Sequence, residues 1–293
     1  MDKYRNIIAK LNRSRCEVDI TLKCSLKCKY CTRCLDIKQY EDESDITEEQ
    51  CKSFINDVKI NKLSFDPFTL LGGEPTLHNN IKKIVEIFVD SNIYKKEVCL
   101  VSNFYRSDSR KILDDLHDTF KDKLHIQEYG KKLGGEPKKF YNWRIAPIDY
   151  FSLEHLYNCN NRCSIPKRCG LYWSHTSGYT CCAQMASMKR LLGFDCVTQT
   201  CKDFTDEKYE EFCNNFCKYC TLSYFDTDCT ANDKKSHEIN SDYNIKKEMK
   251  ESKIWKTQKT MLQYLYPSSL TKMLSTYLPG INPLSKRTKE IKM

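Results

Sequence analysis

Cys24-Ser-Leu-Lys-Cys28-Lys-Tyr30-Cys31 is the stretch on which the reading of this chain turns. Three thiolates on one short loop can hold three irons of a [4Fe-4S] cluster and leave the fourth open to a small-molecule ligand, which makes the centre reactive rather than only structural. Spacing alone does not establish this, because a chain with 18 cysteines can produce C-x3-C-x2-C by accident. Context carries more weight. Directly upstream, Glu17-Val-Asp-Ile-Thr-Leu22 alternates its apolar residues as a strand does, and an aromatic, Tyr30, precedes the last cysteine.

A second strand-like run, Phe65-Asp-Pro-Phe-Thr-Leu-Leu71, ends directly in Gly72-Gly73-Glu74-Pro75. Paired glycines let a backbone come close to a ligand, and their carbonyls with the Glu74 carboxylate can accept hydrogen bonds from an ammonium group. The same tetrapeptide recurs at Gly134-Gly135-Glu136-Pro137, but behind the polar Lys131-Lys132 and with no apolar run before it, so that copy is expected to be a loop.

Together the first two stretches resemble the radical S-adenosylmethionine (radical SAM) enzymes, marked by C-x3-C-x2-C after the first barrel strand and GGEP after the second. The resemblance implies an α/β fold, a partial (β/α)6 barrel. In it Cys24, Cys28 and Cys31 bind the catalytic [4Fe-4S] cluster, and S-adenosylmethionine chelates the open iron. Tyr30, Gly72, Gly73, Glu74, Pro75 and the strand-end pair Ser102 and Asn103 then lie near that cofactor. The implied chemistry is reductive cleavage to a 5′-deoxyadenosyl radical and removal of a hydrogen atom from a substrate C–H bond. An electron donor such as flavodoxin or ferredoxin is the expected partner. A thiol near the substrate, Cys196, Cys201 or Cys229, would donate a hydrogen atom if the outcome is epimerisation.

Up to about residue 155, helix-like and strand-like segments alternate, as in a parallel sheet covered by helices. Thr47-Glu-Glu-Gln50 is a capped helix start running into Phe54, Ile55 and Val58, and Ile81 to Val89 repeats apolar residues at helical spacing. Glu97 to Val101 reads as the third strand, Arg110 to Phe120 as the next helix, Lys123 to Glu128 as the fourth strand and Asn142 to Ala146 as the fifth. His125, Gln127 and Glu128 are available to the interior, Gln127 as a cofactor contact. Arg144 either pairs its guanidinium fork with the cofactor carboxylate or faces solvent. Where many radical SAM enzymes have a Ser-Leu-Asp-Gly-like strand end, this chain has His125-Ile-Gln-Glu-Tyr-Gly130. His125 reads as packed or hydrogen-bonded, and His155 and His175 give no support to metal binding.

After residue 155 the composition turns cysteine-rich: Cys159, Cys163, Cys169, Cys181, Cys182, Cys196, Cys201, Cys213, Cys217, Cys220 and Cys229. The segment from Cys169 through Gly178 to Cys181-Cys182 resembles the β-hairpin of the SPASM or shorter twitch extension of radical SAM enzymes. That implies an auxiliary [4Fe-4S] cluster on Cys169, Cys181, Cys217 and Cys220, with Cys182, Cys163 and Cys213 as alternative ligands. A structural zinc site is the other reading of these cysteines. Cys213, Cys217 and Cys220 repeat the spacing of the first triplet, but they follow a helical segment and no GGEP strand succeeds them, which places them in the appendage. Cys16, Cys34, Cys51 and Cys99 read as small buried apolar residues.

The expected organisation is a core barrel over 1–155, a cysteine-rich auxiliary region over 156–230 and a basic helical tail over 231–293. The net charge of +9 owes much to that tail, so it does not point to nucleic acid. In the tail, Trp255 to Tyr266 can pack on the protein, on a partner or on a membrane surface. The polar start, the absence of a long apolar run and the cysteine count favour a reduced, cytoplasmic setting. About fifteen residues before the first strand are too few for a leader-peptide-binding domain. A sugar or other small molecule is therefore preferred to a peptide as substrate. A non-catalytic iron-sulfur or zinc module is the rival of another class.

Overall fold

A computed structural model of the chain describes residues 10–28, 30–41, 44–128, 144, 163–220 and 254. The second Gly-Gly-Glu-Pro, the expected fifth strand apart from Arg144, His155, Cys159, Cys229 and the expected tail apart from Ile254 lie outside the described residues.

Strand β1 is Cys16–Thr21, followed by α1 at Glu48–Ile60, β2 at Phe68–Gly72 and a 3-10 turn at Pro75–Leu77. Then come α2 at Ile81–Val89, β3 at Val98–Ser102, α3 at Ser107–Phe120 and β4 at Leu124–Glu128. Past residue 163 follow α4 at Ile165–Arg168, β5 at Leu171–Ser174, β6 at Gly178–Thr180, α5 at Ala183–Leu192 and α6 at Asp206–Phe216. Among the described residues one sheet holds every strand in the order β4-β3-β2-β1-β5-β6, parallel throughout except for β6, which pairs antiparallel with β5. This is the mixed α/β sheet of a partial radical-type barrel. The hairpin expected in the cysteine-rich region is present, and it is built onto the β1 edge of that sheet.

Local chemistry explains the boundaries. Thr47 caps α1 in a capping box: its hydroxyl accepts the Gln50 N–H at 3.2 Å, and the Gln50 side chain accepts the Thr47 N–H at 2.9 Å. Strand alternation sorts the sheet into two faces. Cys16, Val18 and Ile20 of β1 sit with Phe68, Leu70, Val98, Leu100 and Trp173 in one hydrophobic core that reaches Phe212 and Cys220. Phe54 of α1 is its hub, with ring centroids 4.7 Å from Trp173, 5.9 Å from Tyr179 and 6.2 Å from Phe88. The opposite face carries Glu17, Asp19 and Thr21, with Tyr172 in register with Glu17 and Ser174 with Asp19. That face is polar, and the C-terminal ends of its strands present the candidate site.

Candidate active site

The cysteine loop leaves the end of β1 as successive tight turns: Cys31 N–H donates to Cys28 O at 3.0 Å and Cys34 N–H to Cys31 O at 2.9 Å. Tyr30 and Cys34 take left-handed backbone, with φ of 61° and 58°. Asp36 fastens the loop by accepting the Tyr30 N–H at 3.1 Å. Arg144 pairs with that same carboxylate and sets its guanidinium 5.3 Å from the Tyr30 ring centroid. At 2% exposure Arg144 does not face solvent, which corrects that reading, and its pairing with Asp36 ties it to the cysteine loop.

The Gly-Gly-Glu-Pro turn is clamped to the start of this loop. Gly73 N–H donates to Thr21 O at 2.8 Å and Glu74 N–H to Lys23 O at 2.7 Å. A Cβ on Gly72 would stand 2.1 Å from Thr21 O, and one on Gly73 2.1 Å from Lys23 O. The glycines thus admit the backbone that carries Cys24, where sequence reasoning had them admitting a ligand. Glu74, fully buried, is held by the protein's own donors: Thr76 Oγ1 and Ser102 Oγ at 2.8 Å, Thr76 N–H at 3.2 Å and Asn103 N–H at 2.8 Å. It fastens the β2 turn to the end of β3. Asn103 then reaches Cys24, its Nδ2 donating to the sulfur over 3.9 Å, while Leu26 N–H donates to the same sulfur at 3.4 Å. Burial, and then the charges of Cys31, Glu74 and Cys28, push the Cys24 thiol up to about 12.

Residues 18–127 match the family model of the Radical SAM superfamily. They form a radical SAM domain. No curated protein matches the chain. The crystal structure of BtrN in complex with AdoMet and 2-DOIA aligns with 70% of this chain and 83% of its own, at 12% sequence identity and a TM-score of 0.39. So loose a likeness transfers no residue role or ligand.

A radical SAM domain implies a [4Fe-4S] cluster and S-adenosylmethionine, and the residues present fit them. Three cysteines lie on one loop, and burial, with the charges of its neighbours, opposes ionisation of Cys24, which a cationic cluster of soft metal would offset. One backbone donor, the Leu26 N–H, and the Asn103 side-chain amide already reach the Cys24 sulfur.

Other expected radical SAM residues are placed differently. Ser102 is engaged with Glu74 and accepts the Phe104 N–H at 3.1 Å. Gln127 lies on the site face, but on the edge strand β4 and exposed, with Cys99 Sγ donating to its Oε1 at 3.5 Å. Glu128, expected inside, falls on the other face because it is one residue on in the alternation. Cys196 and Cys201, expected as hydrogen donors, both lie in the hydrophobic core, Cys196 donating to Met185 O at 3.2 Å and the Cys201 backbone N–H donating to the Asp57 carboxylate of α1 at 2.7 Å.

Of the expected auxiliary ligands, Cys181 and Cys217 come together around Cys213. Hydrogen bonds from Cys181 and Cys217 hold the Cys213 sulfur well below the usual thiol range, and both of those thiols are raised. Cys182 lies 4.0 Å from Cys181, sulfur to sulfur, and caps α5 by accepting the Met185 N–H at 3.5 Å. Cys163 acts electrostatically on Cys217. Cys169 is bonded to Glu17 of β1, and Cys220 ends the 3-10 turn after α6 with its N–H on Cys217 O at 3.0 Å. Among the described residues no three His, Cys, Asp or Glu side chains are arranged as ligands of a single metal ion.

Sequence reasoning missed the polar cluster beside the loop. Arg33 binds Asp19 through Nε at 3.1 Å and Nη2 at 2.9 Å, and the Tyr172 hydroxyl also donates to Asp19. Arg190 and Ser187 of α5 hold the Arg33 and Thr32 carbonyls at 3.2 and 2.8 Å. The signal in the sequence was Asp19, a carboxylate in the middle of a strand between Val18 and Ile20.

Proposed function

We propose that this protein uses its radical SAM domain to take a hydrogen atom from an unactivated C–H bond of a small molecule, a sugar or similar compound, in a net oxidation or epimerisation. The observation that carries this reading is the pair of backbone bonds, Gly73 to Thr21 and Glu74 to Lys23, which lock the three-cysteine loop against the Gly-Gly-Glu-Pro turn at the ends of adjacent parallel strands. When bound, the cluster and S-adenosylmethionine supply a one-electron cleavage that yields methionine and a hydrogen-abstracting 5′-deoxyadenosyl radical. Cys24, Cys28 and Cys31 hold the irons. Asn103 and the Leu26 N–H stabilise the Cys24 thiolate, and Glu74 keeps Asn103 in place. Buried Leu22 and Leu26 help exclude water from the loop.

The same reading assigns the Cys181, Cys182, Cys213 and Cys217 group, with Cys163, Cys169 and Cys220 around it, to an auxiliary iron-sulfur cluster of the twitch or SPASM type. Support comes from the mutual hydrogen bonding of these thiols and the depressed Cys213. A ferredoxin or flavodoxin would deliver the electron. The test is anaerobic reconstitution with iron and sulfide, followed by chromatographic detection of 5′-deoxyadenosine after addition of S-adenosylmethionine and dithionite. Cys28→Ala should abolish that product, and unchanged turnover in the variant would overturn the assignment.

A further inference from the structure

Arg190 is a largely buried cation that no anion among the described residues answers. Its guanidinium donates only to neutral acceptors, from Nη1 to Ser177 Oγ at 3.3 Å and from Nη2 to Ser187 Oγ at 3.0 Å and Arg33 O at 3.2 Å. Its Nε is closed off from solvent and makes no hydrogen bond. Among the described residues no carboxylate forms an ion pair with it. Asp19, whose charge reaches it, is already engaged by Arg33 and Tyr172. Arg33 thus holds the hydrogen bonds of Asp19, with Glu17 adding charge at Arg33, while no carboxylate among the described residues is hydrogen-bonded to Arg190. A charge withdrawn from water without a partner is costly, so such an arrangement is retained where a ligand supplies the partner.

A second group points the same way. His175 follows β5, and both of its ring nitrogens are closed off from solvent without a hydrogen bond. The Asp19 backbone lies near the ring without completing a bond of ordinary geometry. Burial, reinforced by Arg190, lowers the imidazole to about 4, so it is neutral and retains one N–H to donate. Ser177, which meets Arg190, lies in the same short β5 to β6 connection as His175. The cluster stands at the C-terminal ends of β1 and β5, where parallel α/β sheets bind their ligands, and α5 holds it directly against the cysteine loop.

We propose that Arg190 and His175 form an oxyanion site that takes a carboxylate or phosphate group of the substrate, Arg190 supplying charge and its Nε–H, His175 a second donor. This rests on the radical SAM reading and narrows its substrate to an anionic small molecule, such as a sugar acid or sugar phosphate. The site lies on the β5 side of β1, whereas the Gly-Gly-Glu-Pro turn and Asn103 lie on the β2 side, so the two are separate.

The test uses the full-length, anaerobically reconstituted protein and inorganic phosphate as probe, titrated calorimetrically at constant ionic strength with and without S-adenosylmethionine. Saturable phosphate binding is expected, unaffected by S-adenosylmethionine and weakened about tenfold or more in Arg190→Gln, as for loss of a charge-assisted contact. His175→Phe should weaken it about threefold or more, and this variant decides the matter if Arg190→Gln does not fold. Absence of saturable binding, or unchanged affinity in the folded variants, overturns the proposal. Competition by S-adenosylmethionine also overturns it, by giving the site to the cofactor's own carboxylate. 5′-Deoxyadenosine formation without substrate, measured in parallel, tests the radical reading separately: its failure would leave phosphate binding intact.

Discussion

The Glu74 carboxylate accepts the Asn103 N–H at 2.8 Å, and the Asn103 side chain in turn donates to Cys24 Sγ over 3.9 Å. A carboxylate in the turn after the second strand thereby sets a hydrogen bond to Cys24, in the loop after the first, by way of the residue that follows the third.

Glu74→Gln should show this dependence. An amide turns one acceptor oxygen into a donor in a place that already holds four donors. A loss of roughly 1–3 kcal/mol in urea unfolding is expected for buried donors left unsatisfied. 5′-Deoxyadenosine formation should fall about tenfold or more with iron content preserved, as expected for a group that orients a ligand's hydrogen bond. Full activity with an unchanged midpoint would show the clamp to be dispensable.

Two glycines should respond differently to alanine. In Gly73→Ala the new methyl meets Lys23 O at 2.1 Å and Lys23 C at 2.7 Å, so the cysteine loop must move, and iron retention after reconstitution should drop. Gly193, which ends α5 with φ of 72°, has no atom within 4 Å of such a methyl. Gly193→Ala should cost about 1 kcal/mol for the left-handed backbone and leave iron and activity unchanged. Equal effects at the two sites would count against the close approach as the reason for Gly73.

Metal content separates the two thiol groups. The reconstituted protein should hold about eight irons, and a Cys24/Cys28/Cys31 triple alanine variant about four with an iron-sulfur absorption band, as for two tetranuclear clusters. Zinc without iron in the triple variant would remove the auxiliary cluster and leave the radical assignment standing. Cys217→Ala, if folded, should still yield 5′-deoxyadenosine while losing product from the true substrate.

His175 makes stability depend on pH with a definite sign. Its folded value of about 4 lies below the ordinary 6.5, so the unfolded chain takes up the proton first. The protein should lose stability relative to His175→Gln as pH falls below about 6.5, with the loss levelling off near 4. Denaturant unfolding in phosphate-free buffer from pH 7.5 to 4 reads most of it. A constant difference between the two proteins would mean that the ring is not buried neutral.

Periodicity and caps make many of the elements legible in the residues themselves. Thr47 with Gln50 announces α1, the apolar spacing of Ile81 to Val89 matches α2 end to end, and the alternation of Glu17 to Leu22 places β1 within a residue. Long-range pairing is not legible in this way. Arg144 finds Asp36 across 108 positions, Ser187 finds Thr32 across 155, and the hairpin joins β1, an edge that no local pattern specifies. In each case the partner is chosen by the fold, and residue type supplies only the capacity to pair.

With β2 on one side of β1 and β5 on the other, the strand that carries the cysteine loop has no free edge. Cutting the chain before Leu171 would strip one side of that ladder and the Trp173 and Tyr179 rings from Phe54. The cysteine-rich half is therefore not a portable cassette. Grafting it onto another barrel, or expressing the first half alone, would dismantle the very strand from which the reactive loop springs.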